Sequence, residues 1–425
     1  MPDSQTLTRW VAEGRTRSLD IVKDLSDEQL RVPWLPTVNP ILWELCHASF
    51  FYEIFFLRDG AGQEPVRPDS DALFDSTNIG HESRWRLPVP DRAGCLAYVD
   101  AVHQRVVNLI DKGLDERLTY LLMYSVFHGD MHNEALTYTR QALGYPAPSF
   151  DVATADVSAS DEAPGDANLP GAVLVLGATA ETPFCFDNEK WGHEIEVQPF
   201  AMARTAVTEG ELRAFVIEGG YDRHEFWSPQ GWALREAVQA NLPLYWRHPG
   251  GRDFERRHFD RWIPIEDRRA AIHISWYEAD AWCRWAKRRL PTEAEWEMAA
   301  ARNDNDAGAK RQHPWGNEPP STALCNMDWG AMGPVDASAY AAGDSAAGCR
   351  QMTGNVWEWT ATTFAPYPGF TPDMYSDYSQ TSFHTRKVLR GGCWATPSRT
   401  IRNTWRNFFQ PARRDVFAGF RTCRV

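Results

Sequence analysis

The chain has 425 residues, 43% of them hydrophobic, and a formal net charge of −13 with no basic run to oppose it. That length supports two or three domains, each with its own core, and the charge argues against nucleic acid or an anionic membrane as partner. The opening stretch MPDSQTLTRWVAEGRTRSLD is charged throughout, and no later apolar run approaches the about eighteen residues of a membrane helix, so a cytoplasmic protein is expected.

From Leu7 to Gly144 apolar residues recur at helical spacing. SLDIVKDLSDEQL reads as a helix capped by Ser18, NPILWELCHASFFYEIFFLRDG as one that stops at Gly60, and RLTYLLMYSVFHGDMHNEALTYTRQALG as one that ends at Gly144. Four such helices predict an antiparallel bundle over residues 1–150. The small, acidic and Pro/Gly residues of 151–170 have little to pack with and predict a linker. From 171 to 425, short apolar runs such as AVLVLGA and HEIEVQPF alternate with Gly, Pro and Trp, and helices are expected only at SWYEADAWCRWAKRRL and TEAEWEMAAA. The fold class is therefore α+β and multidomain. Eight cysteines without a CxxC pair fit reduced, structural thiols.

The stretch HGDMHNEAL places His128 and His132 four apart, on one face of a helix. In a chain with twelve histidines this spacing arises by chance about 0.3 times, so the pair needs context. His47 provides it: an imidazole inside the apolar run LWELCHASFFYEIFF requires a partner against desolvation. Three neutral imidazoles from two helices would form a facial set with open coordination positions, suited to Fe(II), Zn(II) or another borderline metal. Asp130 and Glu134 are the candidates for orienting the rings. The other reading is two half-exposed histidines on a bundle helix. Cys46 points to a different side of the helix and reads as core, and no cysteine spacing suits structural zinc.

A bundle with one histidine in its second helix and H-x-x-x-H-x-E in its last resembles the DinB-like domain of the ergothioneine-type sulfoxide synthases, the EgtB and OvoA enzymes. The second half resembles the formylglycine-generating-enzyme fold, a C-type-lectin-like domain. Its marks are RLPTEAEWEMAA (289–300), PWGNE (314–318), GNVWEWT (354–360), VLRGGCW (388–394) and the terminal GFR (419–421). Formylglycine-generating enzymes use two closely spaced cysteines shortly before that GFR to hold copper. TIRNTWRNFFQPARRDVFAGFR has none, which argues against that activity, and Cys423 reads as core. The EgtB resemblance implies that His47, His128 and His132 bind Fe(II), that O2 is a cosubstrate, and that a sulfur nucleophile is coupled to imidazole C2 of hercynine, trimethylated histidine. It also implies a tyrosine that supplies a proton or electron, for which Tyr375 matches best and Tyr378 second. Asn407 and Phe408 match the family's hercynine-contacting asparagine and tryptophan, and an aromatic face at Phe408 would hold the trimethylammonium with about 0.5–2 kcal/mol. Trp394 would add to such a cage, and Arg413 joins the substrate-binding set.

The chain departs from this family where the sulfur donor is read. The arginine pair of the family's R-G-L-L-S-R-P stretch meets IGHESRWRLPVPDR here, its aspartate after R-N-W meets Phe409, and its H-x-x-Q-H meets Met131. An aromatic ring cannot accept a hydrogen bond from an ammonium as a carboxylate does. These changes point to a neutral, sugar-like donor, with Arg84, Arg86 and His81 as candidates for its hydroxyls. The phrases RWRLPVP and HGDMHNEALTYTRQALGY resemble the selenoneine synthases, the SenA subgroup, which implies C–Se bond formation between hercynine and a selenosugar. The alternatives are an ergothioneine-type synthase using a cysteine-derived thiol, or a DinB-type thiol transferase with zinc or nickel and no O2 chemistry. In that last case the second half would be a sugar- or protein-binding module.

Overall fold

The computed structural model describes residues 2–152, 161–250, 253–302 and 310–425. The chain divides into two compact units, Met1–Asp151 and Val152–Val425. Among the described residues no helix is long and apolar enough to cross a membrane.

The first unit is built on helices α1 (Ser4–Val22), α3 (Ile41–Phe51), α5 (Arg92–Ile110) and α6 (Glu116–Leu143), with short α2 (Asp27–Arg31) and α4 (Ser70–Phe74) in its connections. Helix α3 runs on as a π-helix, Tyr52–Gly60. The first helix starts earlier than expected. Asp3, not Ser18, is its cap, accepting from the Thr6 amide at 2.7 Å. Ser18 lies within the helix and donates to the Gly14 carbonyl and to Asn133 Oδ1 of α6 at 2.7 Å. The N-cap signal in that stretch belongs to Ser26, whose capping box with Gln29 opens α2. Gly144 ends α6 in the left-handed conformation at φ 67°, as the expected stop requires. Ile21, Leu30, Ile41, Leu45, Val99 and Leu136 close one core between these helices.

The second unit contains four sheets among the described residues. Strands β1 (Asp166–Leu169), β4 (Phe200–Ala203), β13 (Cys423–Arg424) and β8 (Arg288–Arg289) make one, in the order β1-β4-β13-β8. Strands β11 (Asn407–Phe409), β10 (Lys387–Arg390), β9 (Trp357–Thr363) and β12 (Ala418–Gly419) make another, with β11 at the edge. A hairpin pairs β2 (Ala172–Leu176) with β3 (His193–Val197), and β5 (Trp246–Gly250), β6 (Asp253–His258) and β7 (Arg261–Pro264) form a meander. Helices α7 (Glu209–Ile217), α8 (Pro229–Ala237), α9 (Trp276–Trp285) and α10 (Glu293–Ala301) complete the unit. The expected linker at 151–170 is corrected in part: residues 153–160 lie outside the described residues, but Asp166–Leu169 is a strand. It pairs with β4 because the alternating Ala167 and Leu169 can be buried there.

Four of the five sequence motifs of this half meet in a buried network. Arg421 of GFR forms a bidentate pair with Glu358 of GNVWEWT at 2.7 and 2.8 Å, and Glu358 also accepts from Trp296 Nε1 of the α10 motif at 2.7 Å. Arg390 of VLRGGCW pairs with Glu297 of the same helix. Gly419 is required by close approach, since a Cβ there would stand 2.2 Å from the Ala271 carbonyl oxygen. All eight cysteines are buried and outside any disulfide, and Cys423 lies in the core with Met202 and Met298.

Candidate functional site

Two helices set the histidine cluster. On α3, Trp43, His47 and Phe51 are spaced by four and share a face; on α6, Tyr124, His128 and His132 do the same. Where those faces meet, one nitrogen from each of His47, His128 and His132 comes within 4.8 Å of the others. The Nε2 atoms of His128 and His132 are 3.3 Å apart. Aromatic planes fix the rings: Trp43 stacks on His47 at 4.8 Å between centroids, and Phe51 stacks on His128 at 3.6 Å.

The opposite ring nitrogens of His47 and His132 are engaged. His47 Nδ1 lies 2.8 Å from the Phe74 carbonyl, which is left over at the C-terminal end of α4. His132 Nδ1 lies 2.8 Å from Glu44 Oε1, and Glu44 is 1% exposed. With Nδ1–H committed to oxygen, His47 and His132 each turn Nε2 and its lone pair toward the shared space. Burial first, and then the neighbouring imidazoles, hold His47 and His128 well below the usual histidine range, so both are neutral at pH 7. Convergent, with two buried neutral rings and with His47 and His132 oriented from behind, the donor set fits a borderline divalent metal with open positions. The orienting carboxylate on His132 is Glu44 rather than the expected Asp130 or Glu134. A lone carboxylate in the apolar run ILWELCHASFF was the available signal for it.

Around this cluster, Arg84 places its guanidinium 4.1 Å above Trp43, which itself stacks on His47, and it donates to Asn39 Oδ1 at 2.7 Å. His81 is engaged with the Val38 carbonyl at 2.7 Å, Arg86 is exposed, and Met131 is half-buried one residue before His132.

In the second unit the candidate residues gather about the edge strand β11. Side chains alternate along a strand, so Asn407 and Phe409 share one face and Phe408 takes the other. Phe408 stacks on Phe364 at 4.1 Å and meets Tyr378 edge-on at 5.5 Å; Tyr375 lies 6.5 Å from Tyr378. Trp394 is placed elsewhere: it is 1% exposed and lies against Phe417 in the core, where the expected cage had assigned it a ligand face. Phe409 carries the Arg413 guanidinium 5.2 Å above its ring, and Arg413 is held by Asp415 through Nε at 2.6 Å and Nη2 at 2.7 Å.

The tyrosine segment is tied to the turn 187–190. Asp187 accepts from Ser379 Oγ, Asn188 donates to the same hydroxyl at 3.2 Å, and Lys190 pairs with Asp373 at 2.7 Å. Burial pushes the Asp187 carboxyl up to about 6, and burial with the nearby Asp187 and Glu189 charges raises the Tyr378 phenol, so that it keeps its proton at neutral pH. Sequence reasoning missed Asp187 and Asp415, because neither lies in a recurring pattern.

Comparison with known proteins covers both units. Residues 11–143 match the DinB superfamily and 157–425 the sulfatase-modifying factor enzyme 1-like domain. The hercynine oxygenase of Mycolicibacterium smegmatis is 35% identical over 98% of this chain and 98% of its own, and that of Mycobacterium tuberculosis 34% over 99% of each. The formylglycine-generating enzyme of Thermomonospora curvata is 30% identical over 58% of this chain and 87% of its own. Likeness that runs through bundle and sheet unit together separates the first two from the third, and it makes this chain a member of the EgtB-like hercynine oxygenases, enzymes of the nonheme iron type.

Proposed function

We propose that the protein joins hercynine, through imidazole C2, to a neutral selenosugar in an O2-dependent reaction of selenoneine biosynthesis. In the coupling the C2–H and Se–H bonds break, the C–Se bond forms, and two electrons and two protons pass to O2. His47, His128 and His132 would hold Fe(II), which when bound supplies the redox chemistry and the open positions for substrate and O2. Glu44 and the Phe74 carbonyl orient His132 and His47 for that task. Tyr378, with its ring against Phe408, is favoured over Tyr375 as the proton or electron donor. Aromatic faces at Phe408 and Tyr378 suit the trimethylammonium of hercynine.

The observation that carries the donor is Phe409, which stands where the resembling family has an aspartate for the donor's amino group. A ring capped by a guanidinium offers apolar contact and no acceptor for an ammonium. The names of the full-length relatives favour a second reading, an ergothioneine-type sulfoxide synthase with a cysteine-derived thiol. Purified protein with Fe(II), hercynine and O2, offered 1-selenoglucose and γ-glutamylcysteine separately, decides between them by mass spectrometry. A selenium-bearing imidazole is expected. Turnover of γ-glutamylcysteine alone would replace the first reading by the second, and a zinc-loaded protein without oxygen uptake would overturn both.

A further inference from the structure

The pairing of Arg413 bears on what the donor site rejects. Arg413 and Asp415 are two residues apart in the turn that follows β11, and the Arg413 amide closes that turn on the Gln410 carbonyl at 3.0 Å. The carboxylate takes the Nε and Nη2 edge of the guanidinium, the edge that would otherwise match an incoming carboxylate with two parallel bonds. The Asp415 side chain is 6% exposed and the Arg413 side chain 18%, so the pair acts through a medium that screens poorly. The Asp415 backbone is held as well: its carbonyl lies 3.1 Å from His273 Nδ1. A second cation stands nearby, since burial and then the Arg413 charge hold Arg386 below the usual guanidinium range. Asp415 thus sets a negative charge against the cation that lies over Phe409.

We propose that Asp415 is a specificity-determining positioning residue. By occupying the fork of Arg413 it cancels the charge that would recruit a carboxylate-bearing donor, and it leaves a site selective for an uncharged one. The inference rests on the reading of the 409–413 segment as donor-facing. Asp415 acts through Arg413 and is not assigned a contact with the reacting atoms.

The test uses the full-length, iron-loaded protein with hercynine bound. Two neutral replacements, Asp415→Asn and Asp415→Ser, are compared with the charge-conserving Asp415→Glu. Anaerobic titration gives Kd for γ-glutamylcysteine as the charged probe and 1-thioglucose as the neutral one, and steady-state runs give KM and kcat for each. Both neutral variants should bind γ-glutamylcysteine at least tenfold tighter relative to 1-thioglucose, through Kd and KM rather than kcat. The hercynine KM should stay within twofold, and Asp415→Glu should keep the original preference. An unchanged preference in folded neutral variants overturns the proposal, and so does an equal loss for both probes in all three. The donor reading fails separately, in the unaltered protein, if γ-glutamylcysteine is already the substrate it turns over.

Discussion

In the bundle, the side chains that converge are spaced by four along two helices, and each ring is backed by a stacked aromatic or a hydrogen-bond acceptor. In the second unit the candidate residues sit in the turn 187–190, the segment 373–379 and the strand and turn 407–415, where backbone periodicity holds no more than the three residues of β11. Buried ion pairs do so instead. Arg406 joins Glu293 at 2.9 Å, Arg421 joins Glu358 at 2.7 Å and Arg402 joins Glu189, with Arg406 and Arg421 almost wholly buried. A helix face gives a site its geometry through local bonding. Loops obtain theirs from charges that must stay paired, because an orphaned buried charge costs far more than an intact pair contributes.

The contrast gives variants with different signatures. His132→Ala should have the largest functional effect: metal retention measured by plasma mass spectrometry and product formation both fall to background. The fold survives, at a cost of about 1–3 kcal/mol, because buried Glu44 loses its partner. Retained metal in this variant would break the assignment of the cluster. Glu358→Gln inverts the pattern. It strands Arg421 in the core, so urea unfolding should show a loss of about 3–5 kcal/mol while metal binding to the protein that remains folded is unchanged. A loss below about 1 kcal/mol would mean that the ion pairs are not what holds the loops. Glu44→Gln is the mildest. The amide keeps an acceptor for His132 but loses the charge, and metal affinity by competitive chelation should weaken about 10–100-fold with little change in stability.

What was legible in the sequence follows the same division. His128 and His132 could be read because helix geometry converts a spacing of four into a shared face, and His47 because an imidazole in an apolar helix needs a partner. Which α3 side chain meets α6 is a matter of packing, so the lone carboxylate of Glu44 signals a buried partner without naming it, and the nearer Asp130 and Glu134 are the ones expected. Ser18 was misread as a cap because the polar pattern of Ser4–Asp20 hides the turns that bury Leu7 and Val11. In the second half the motifs identified the scaffold. They did not reveal that β11 turns Phe408 away from Asn407, that Trp394 is core, or that Asp415 closes on Arg413, all of which depend on strand register and turn geometry.

The segment 373–379 is moored at its first and last residues to a single turn, Asp373 by Lys190 and Ser379 by Asp187 and Asn188. Between those moorings the chain behaves as a short bridge. Its span is set by the banks, so exchanging residues within the bridge alters which phenol it carries without altering where the bridge stands, whereas shifting either bank would carry both tyrosines along together.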